Sequence, residues 1–306
     1  MKNLILFMRN EAHELQIRGS YGTAHIYRSS ANAVEAFYGR KTLVFERLTP
    51  KLLKQFETYL RQQGCSWNTI STYLRTIRTV YNRAVETKNA TYVPQLFRHV
   101  YTGTKADRKR AMEQEEIAAL INETQTTNNL PDDLKQTKAF FLLMFMLRGL
   151  PFVDLVYLRK SDLNDNILTY QRRKTGRTLS ISLTPEAMEL LDIYRNTDIK
   201  SPYLFSLLRS PIGSREAYRE YQLALRNFNR QLTLLKKELG LDSNLSSYTA
   251  RHTWATMAYY CEVHPGIISE AMGHSSISVT ETYLKPFRNK KIDEANARVI
   301  AFSSQL

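Results

Sequence analysis

The sequence of 306 residues predicts a mainly α-helical protein of two domains, a helical bundle followed by a larger helical domain that carries a small antiparallel sheet. Three observations carry that expectation. Apolar residues recur at helical spacing in successive segments before residue 100, with short joints between them; the periodicity lapses in a basic stretch at 102–110; and only between Ile167 and Leu183 does the period change to two. The expected boundaries are therefore 1–101 for the bundle, 102–110 for a basic linker, and 111–306 for the second domain with its C-terminal helix.

In the bundle, "TAHIYRSSANAVEAFYG" reads as a helix stopped by Gly39, and "TPKLLKQFETYLRQQG" as one opened by Thr49 and Pro50 and closed at Gly64. The next, "NTISTYLRTIRTVYNRAVE", puts Ile70, Leu74, Ile77, Val80 and Ala84 on one stripe, with Asn68 as the expected N-cap. At about 100° per residue, Arg75 and Arg83 fall opposite that stripe and Arg78 flanks it, a row of cations suited to a phosphate backbone. In the linker, Lys105, Arg108, Lys109 and Arg110 stand beside Gly103, a basic strap with the same affinity.

Helices resume with "EQEEIAALINE" and "DLKQTKAFFLLMFML", the second apolar on nearly every side and so expected at the centre of its domain. "ILTYQRR" and "TLSISL" flank "KTG" as a hairpin turned at Gly176. A helix follows from Thr184 and Pro185, a long one from Ser214 to Leu239, and then shorter pieces. There is no internal repeat and no low-complexity tract.

Composition narrows the function. Lys and Arg number 43 against 29 Asp and Glu, a formal charge of +14, which favours a polyanionic partner, nucleic acid ahead of an anionic membrane surface. No apolar run reaches bilayer length, and "NLILFM" is too short for a signal peptide, so a cytoplasmic protein is expected. Cys65 and Cys261 make no disulfide framework or zinc motif, and the six histidines include no HExxH and no i, i+4 pair, so no structural metal is expected.

Several short motifs fall in the second domain. "YTARHTWAT" puts Arg251 and His252 in the first turns of a helix, where a guanidinium and free backbone N–H groups suit a phosphate. Lys174 sits at the hairpin tip. Gly273 ends a helix with His274 just after it, and Tyr283 is expected on the short helix that follows.

Taken in order, a Leu-Arg-Gly-Leu turn, a Lys-Thr-Gly hairpin, an Arg-His-Thr helix, a Gly-His pair and a Thr-x-x-Tyr segment resemble the catalytic domain of the tyrosine recombinases. The likeness runs from about Glu113 to Tyr283. The "GCSWNTISTYLRTIRTVYNRAVE" stretch resembles that family's SAM-like core-binding domain, and within the family the chain looks most like Bacteroides-type integrases and invertases. The resemblance implies that Arg251 is the second arginine of the family, Lys174 its hairpin lysine, His274 its His/Trp position and Tyr283 its nucleophile. Two positions depart. Tyr248 stands where the family has His, and Pro151 stands where the family has its first arginine. Arg148, three residues earlier, is the expected substitute, one helical turn away, with Arg159, Arg172, Arg173 and Arg177 the next candidates by their closeness in sequence to the pocket elements. Asp154 matches the acidic residue after the first arginine and is expected to support it.

These residue types fit phosphoryl transfer. Attack on a phosphodiester adds charge to its nonbridging oxygens, so paired guanidinium groups, here Arg251 and Arg148, stabilise the transition state more than the ground state. Tyrosine, with an ordinary pKa of about 10, is activated by a cationic pocket and forms a covalent phosphotyrosine that conserves bond energy. Lys174 then protonates the departing 5′ oxygen. The scheme needs no cofactor. The family reading implies duplex DNA as substrate, a tetramer on two sites, a Holliday junction, and in some members a DNA-bending accessory protein. A type IB topoisomerase-like enzyme and a DNA-binding regulator that has lost catalysis are the alternatives. For the tail, with Ile292, Ala295, Val299 and Ile300 on one side, packing on its own domain and docking on a neighbouring subunit both stand.

Overall fold

A computed structural model of the chain describes residues 2–104, 110–122, 129–286 and 289–303. The chain divides into two compact units, Met1–Asp107 with Gly213–Arg215, and Arg108–Ile212 with Glu216–Leu306. Helix dominates both, and the expected mainly α class with a small antiparallel sheet is what the chain forms.

The first unit contains α1 (Leu4–Ile17), α2 (Tyr21–Tyr38), α3 (Pro50–Gln62) and α4 (Trp67–Glu86) around one apolar core. Helix α1 is an element that the sequence reading passed over. "NLILFM" is its first turns: Asn3 caps it by accepting from the Ile5 backbone N–H at 3.0 Å, and Leu4, Ile5, Phe7 and Met8 are buried. Helix α2 stops at Gly39 in the left-handed conformation, and α3 opens on Thr49 and Pro50, as their residue types require. The cap of α4 is Ser66 rather than Asn68. The Ser66 hydroxyl accepts from the Thr69 N–H at 3.2 Å, so the helix begins at Trp67 and Asn68 falls inside its first turn. Arg75 and Arg78 are exposed on α4. Arg83 is exposed as well but pairs with Glu11, so its charge is partly engaged.

The second unit runs α5 (Gln114–Ile121), α6 (Asp132–Met146), α7 (Phe152–Val156), β1 (Leu163–Asn164), β2 (Ile167–Gln171), β3 (Thr178–Ser182), α8 (Pro185–Tyr194) and α9 (Arg215–Glu238). Then come α10 (Thr249–Tyr260), α11 (Pro265–Ala271), α12 (Ile277–Glu281) and α13 (Asn289–Ser303). The strands pair antiparallel in the order β1-β2-β3, and β2 and β3 alternate buried and exposed side chains, so Leu168, Tyr170, Leu179 and Ile181 join the core around α6. Among the described residues no helix is long and apolar enough to cross a membrane.

Between α6 and α7 the chain is not helical. Arg148 and Gly149 both take left-handed backbone angles, φ of 58° and 69°, and Pro151 caps α7. The expectation that Arg148 stands one helical turn from Pro151 is therefore corrected: two consecutive left-handed residues turn the chain there.

Candidate active site

Helix α10 brings Arg251 into the interior. The start of this helix is buried: Thr249, Ala250, Arg251, His252 and Thr253 all are, and the Thr253 hydroxyl accepts from the Met112 N–H at 3.0 Å. Arg251, only 2% exposed, spends its donors on three acceptors: the Gly149 carbonyl at 2.6 Å, the Met272 carbonyl at 2.7 Å and His274 Nε2 at 2.8 Å. The turn between α6 and α7 admits it because residue 149 is glycine. A Cβ there would lie 3.0 Å from the Arg251 Cα, and the left-handed backbone disfavours any side chain.

His274 lies just past α11, behind Gly273 in the left-handed conformation, so the predicted helix end holds. Its Nδ1 is 2.8 Å from the Thr280 hydroxyl on α12. Because Arg251 has only hydrogens to offer, Nε2 is the acceptor, and the proton of the neutral ring sits on Nδ1 and points to Thr280. Burial first, then the charges of Arg251, Arg172 and Lys174, drive the His274 pKa down to about 3, so the ring is neutral near pH 7. Burial, and after it the Arg172 charge, lowers Arg251 too, while Tyr283 opposes that lowering.

Tyr283 follows α12 rather than riding on it, since that helix ends at Glu281. Its ring lies 4.6 Å from His252 and 5.1 Å from His274, centroid to centroid, the second pair stacked at 23°, with the Arg251 guanidinium 5.5 Å from the ring centre. The Tyr283 carbonyl accepts from the Thr256 hydroxyl at 3.3 Å and stands 3.4 Å from His252 Nδ1, one turn earlier on α10. Next to it, Leu284 is buried with Ala255, Ile268 and Met272. The nucleophile candidate is thus held through its ring, its carbonyl and its neighbour.

The remaining predicted residues fall around this group. Lys174 is exposed on the β2–β3 turn, near enough to act on His274, and Arg177 of the same hairpin donates to the His274 carbonyl at 3.1 Å. Tyr248 is the N-cap of α10 and 50% exposed. Arg148 is half-buried and donates to the Ser180 carbonyl on β3 at 3.3 Å. Arg110 is exposed, and Lys105, Arg108 and Lys109 lie outside the described residues. Among the described residues, no group of three or more His, Cys, Asp and Glu side chains is placed to hold a metal ion.

Sequence reasoning ranks Arg172 behind Arg148, and the structure sets it apart. It is 6% exposed, its Nε stands 2.7 Å from Asp154 Oδ2, and its Nη1 donates to the same Met272 carbonyl that Arg251 uses. Asp154 is buried and accepts from the Arg173 N–H at 2.9 Å; burial pushes its carboxyl up against the pull of that hydrogen bond and of Arg172. A signal was available: Leu168, Tyr170 and Arg172 share one side of a period-two run. No comparable pattern marks His252 and Thr256, whose contacts depend on where residue 283 docks.

Comparison with known proteins agrees with this arrangement. The phage integrase SAM-like domain matches residues 3–96, and the phage integrase family matches residues 110–290. Tyrosine recombinase XerA of Pyrococcus furiosus is 24% identical over 274 residues, covering 78% of this chain and 90% of its own length. Tyrosine recombinase XerC of Rickettsia peacockii is 22% identical over 254 residues, covering 81% of this chain and 80% of its own. The fold resembles that of the Tn1549 transposon integrase in complex with circular intermediate DNA, with a TM-score of 0.68 at 14% identity over 97% of this chain and 100% of that one. It also resembles a lambda integrase dimer bound to a COC′ core site, with a TM-score of 0.64 at 18% identity over 90% and 93%. A chain matched along both its units, with a tyrosine docked against a buried arginine, belongs to the phage integrase family and is a tyrosine recombinase.

Proposed function

We propose that this recombinase cleaves and rejoins duplex DNA at specific sites through Tyr283. The phenol oxygen attacks the scissile phosphorus, the bond from phosphorus to the 5′ oxygen breaks, and a 3′-phosphotyrosine forms. Lys174, on the exposed hairpin tip, gives its proton to the departing 5′ oxygen. Arg251 carries the charge that gathers on the nonbridging oxygens. His274, neutral and with Nε2 as an acceptor, holds Arg251 in place for the phosphate, and the phenol proton passes to the water that half-buried Tyr283 reaches. Tyr248, at the exposed start of α10, hydrogen-bonds a phosphate oxygen in place of the family's His. Attack by the freed 5′ hydroxyl of a partner strand reverses the step and releases Tyr283, so no nucleotide cofactor is consumed.

The observation that carries this reading is the seat of Tyr283 against two imidazoles, with Arg251 5.5 Å from its ring. The exposed arginines of α4 and Arg110 hold the duplex, as does the basic strap 105–109 outside the described residues. A lambda integrase tetramer bound to a Holliday junction shares the fold, with a TM-score of 0.64 at 17% identity, and supports a tetramer acting on two sites. In this reading the enzyme works in the cytoplasm, with a DNA-bending accessory protein where distant sites must meet. A regulator without catalysis would not need a tyrosine so placed.

The test is covalent trapping on a nicked suicide duplex. Wild-type protein should form the adduct, and Tyr283→Phe should bind the duplex within about twofold of wild type and form none, because only the reacting hydroxyl is removed. An adduct on Tyr283→Phe would place the nucleophile elsewhere.

A further inference from the structure

We infer that Arg172, not Arg148, supplies the second guanidinium of the phosphate pocket. The inference rests on the reading of Tyr283 and Arg251 just given, and deepens it. The inward alternation of β2 carries Arg172 under the end of α11, where it is buried to 6% exposure beside Gly273; a Cβ on that glycine would lie 3.3 Å from Arg172 Nη1. Arg172 and Arg251 both donate to the Met272 carbonyl, so their guanidinium groups stand side by side.

The charge around them does not balance. Among the described residues of the second unit, Asp154 is the one buried carboxylate, against two buried guanidinium groups and a neutral His274. That carboxylate is already taken: Arg172 Nε and Asp154 Oδ2 meet as an ion pair at 2.7 Å, and neither atom has another partner. An excess positive charge away from water is unfavourable unless an anion meets it. A phosphodiester is a monoanion that gains charge on its nonbridging oxygens during attack, which is what a second fixed guanidinium beside Arg251 stabilises. Arg148 is less suited. It is half-buried, its backbone is turned left-handed, and its guanidinium is directed to the Ser180 carbonyl on β3.

Arg172 also ties the hairpin to α7 through Asp154, so loss of activity alone would not separate charge stabilisation from packing. A substrate with methylphosphonate at the scissile position does, because it lacks the charge on which a guanidinium acts. Wild type, Arg172→Ala, Arg172→Lys and Arg148→Ala are compared for the rate of adduct formation on suicide duplexes that differ only at that phosphorus. Arg172→Ala should be about 100-fold slower on the phosphodiester, with duplex affinity within about threefold, and its deficit should shrink to about tenfold or less on the methylphosphonate. Arg172→Lys should lie between, keeping the charge but losing the planar fork. If Arg172→Ala does not fold, Arg172→Gln is put through the same pair of substrates. An equal deficit on both duplexes, or a charge-dependent loss found in Arg148→Ala and absent at Arg172, overturns the inference and leaves Tyr283 as nucleophile. A wild-type protein that forms no adduct on either duplex sinks the reading of Tyr283, and the inference with it.

Discussion

His274 enters the pocket without a charge, and that fixes how the site responds to acid. Its folded-state pKa of about 3 lies below the ordinary value of about 6.5. Between those values the unfolded chain binds a proton that the folded chain refuses. The stability it contributes is therefore whole above about pH 6.5 and is lost as pH falls toward 3, at no more than about 1.4 kcal/mol per pH unit. The thermal midpoint of wild-type protein should fall between about pH 7 and about pH 5, and more steeply than that of His274→Gln, which keeps an acceptor and a donor but cannot titrate there. Equal slopes in the two proteins would mean that His274 is charged in the fold.

At the scale of elements, helix α13 exposes what a helix normally hides. Ile292, Val299, Ile300 and Phe302 are 53%, 63%, 60% and 76% exposed, so their apolar face is not packed away on the chain's own domain. If that face seats on a neighbouring protomer, Ile300→Glu should weaken assembly on paired sites at least about tenfold and leave single-site affinity unchanged, as native gel shifts on the two substrates would read. Unimpaired assembly would return the face to solvent.

Much of the element order was legible because its punctuation is local: Thr49-Pro50 and Thr184-Pro185 open helices, Gly39 and Gly273 close them, and Gly176 turns the hairpin. Helix α1 escaped because "NLILFM" was judged only as a targeting segment, and its cap, Asn3, stands two residues from the start. Arg251, His274 and Tyr283 could be picked out by order and type, and the structure brings them together. Arg172 was open to the same reading, since a period-two run carries it inward, but a cation at a hairpin's end is expected in water. The hold of His252 and Thr256 on the Tyr283 carbonyl is a tertiary contact across 31 and 27 residues, which no local pattern reveals.

For the whole molecule, a formal charge of +14 makes DNA affinity a function of salt. The slope of log affinity against log salt should be steep, and Arg75→Ala or Arg78→Ala should each lower it by about 1, the loss of one phosphate contact. Arg83→Ala should lower it less, because Glu11 already engages that guanidinium. Fluorescence anisotropy across a salt series checks all three, and identical slopes would remove α4 from the interface.

The close approach at Gly149 reaches beyond geometry, to what mutation can explore. With a Cβ at that position 3.0 Å from the Arg251 Cα and a backbone of φ 69°, glycine is the residue that leaves the arginine where it stands. Substitution at this turn therefore moves the arginine, whereas the exposed side of α4 can change its side chains without that strain. The tolerance of the chain to mutation is thus uneven, narrow where one missing Cβ admits Arg251 and wide on the solvent side of the bundle.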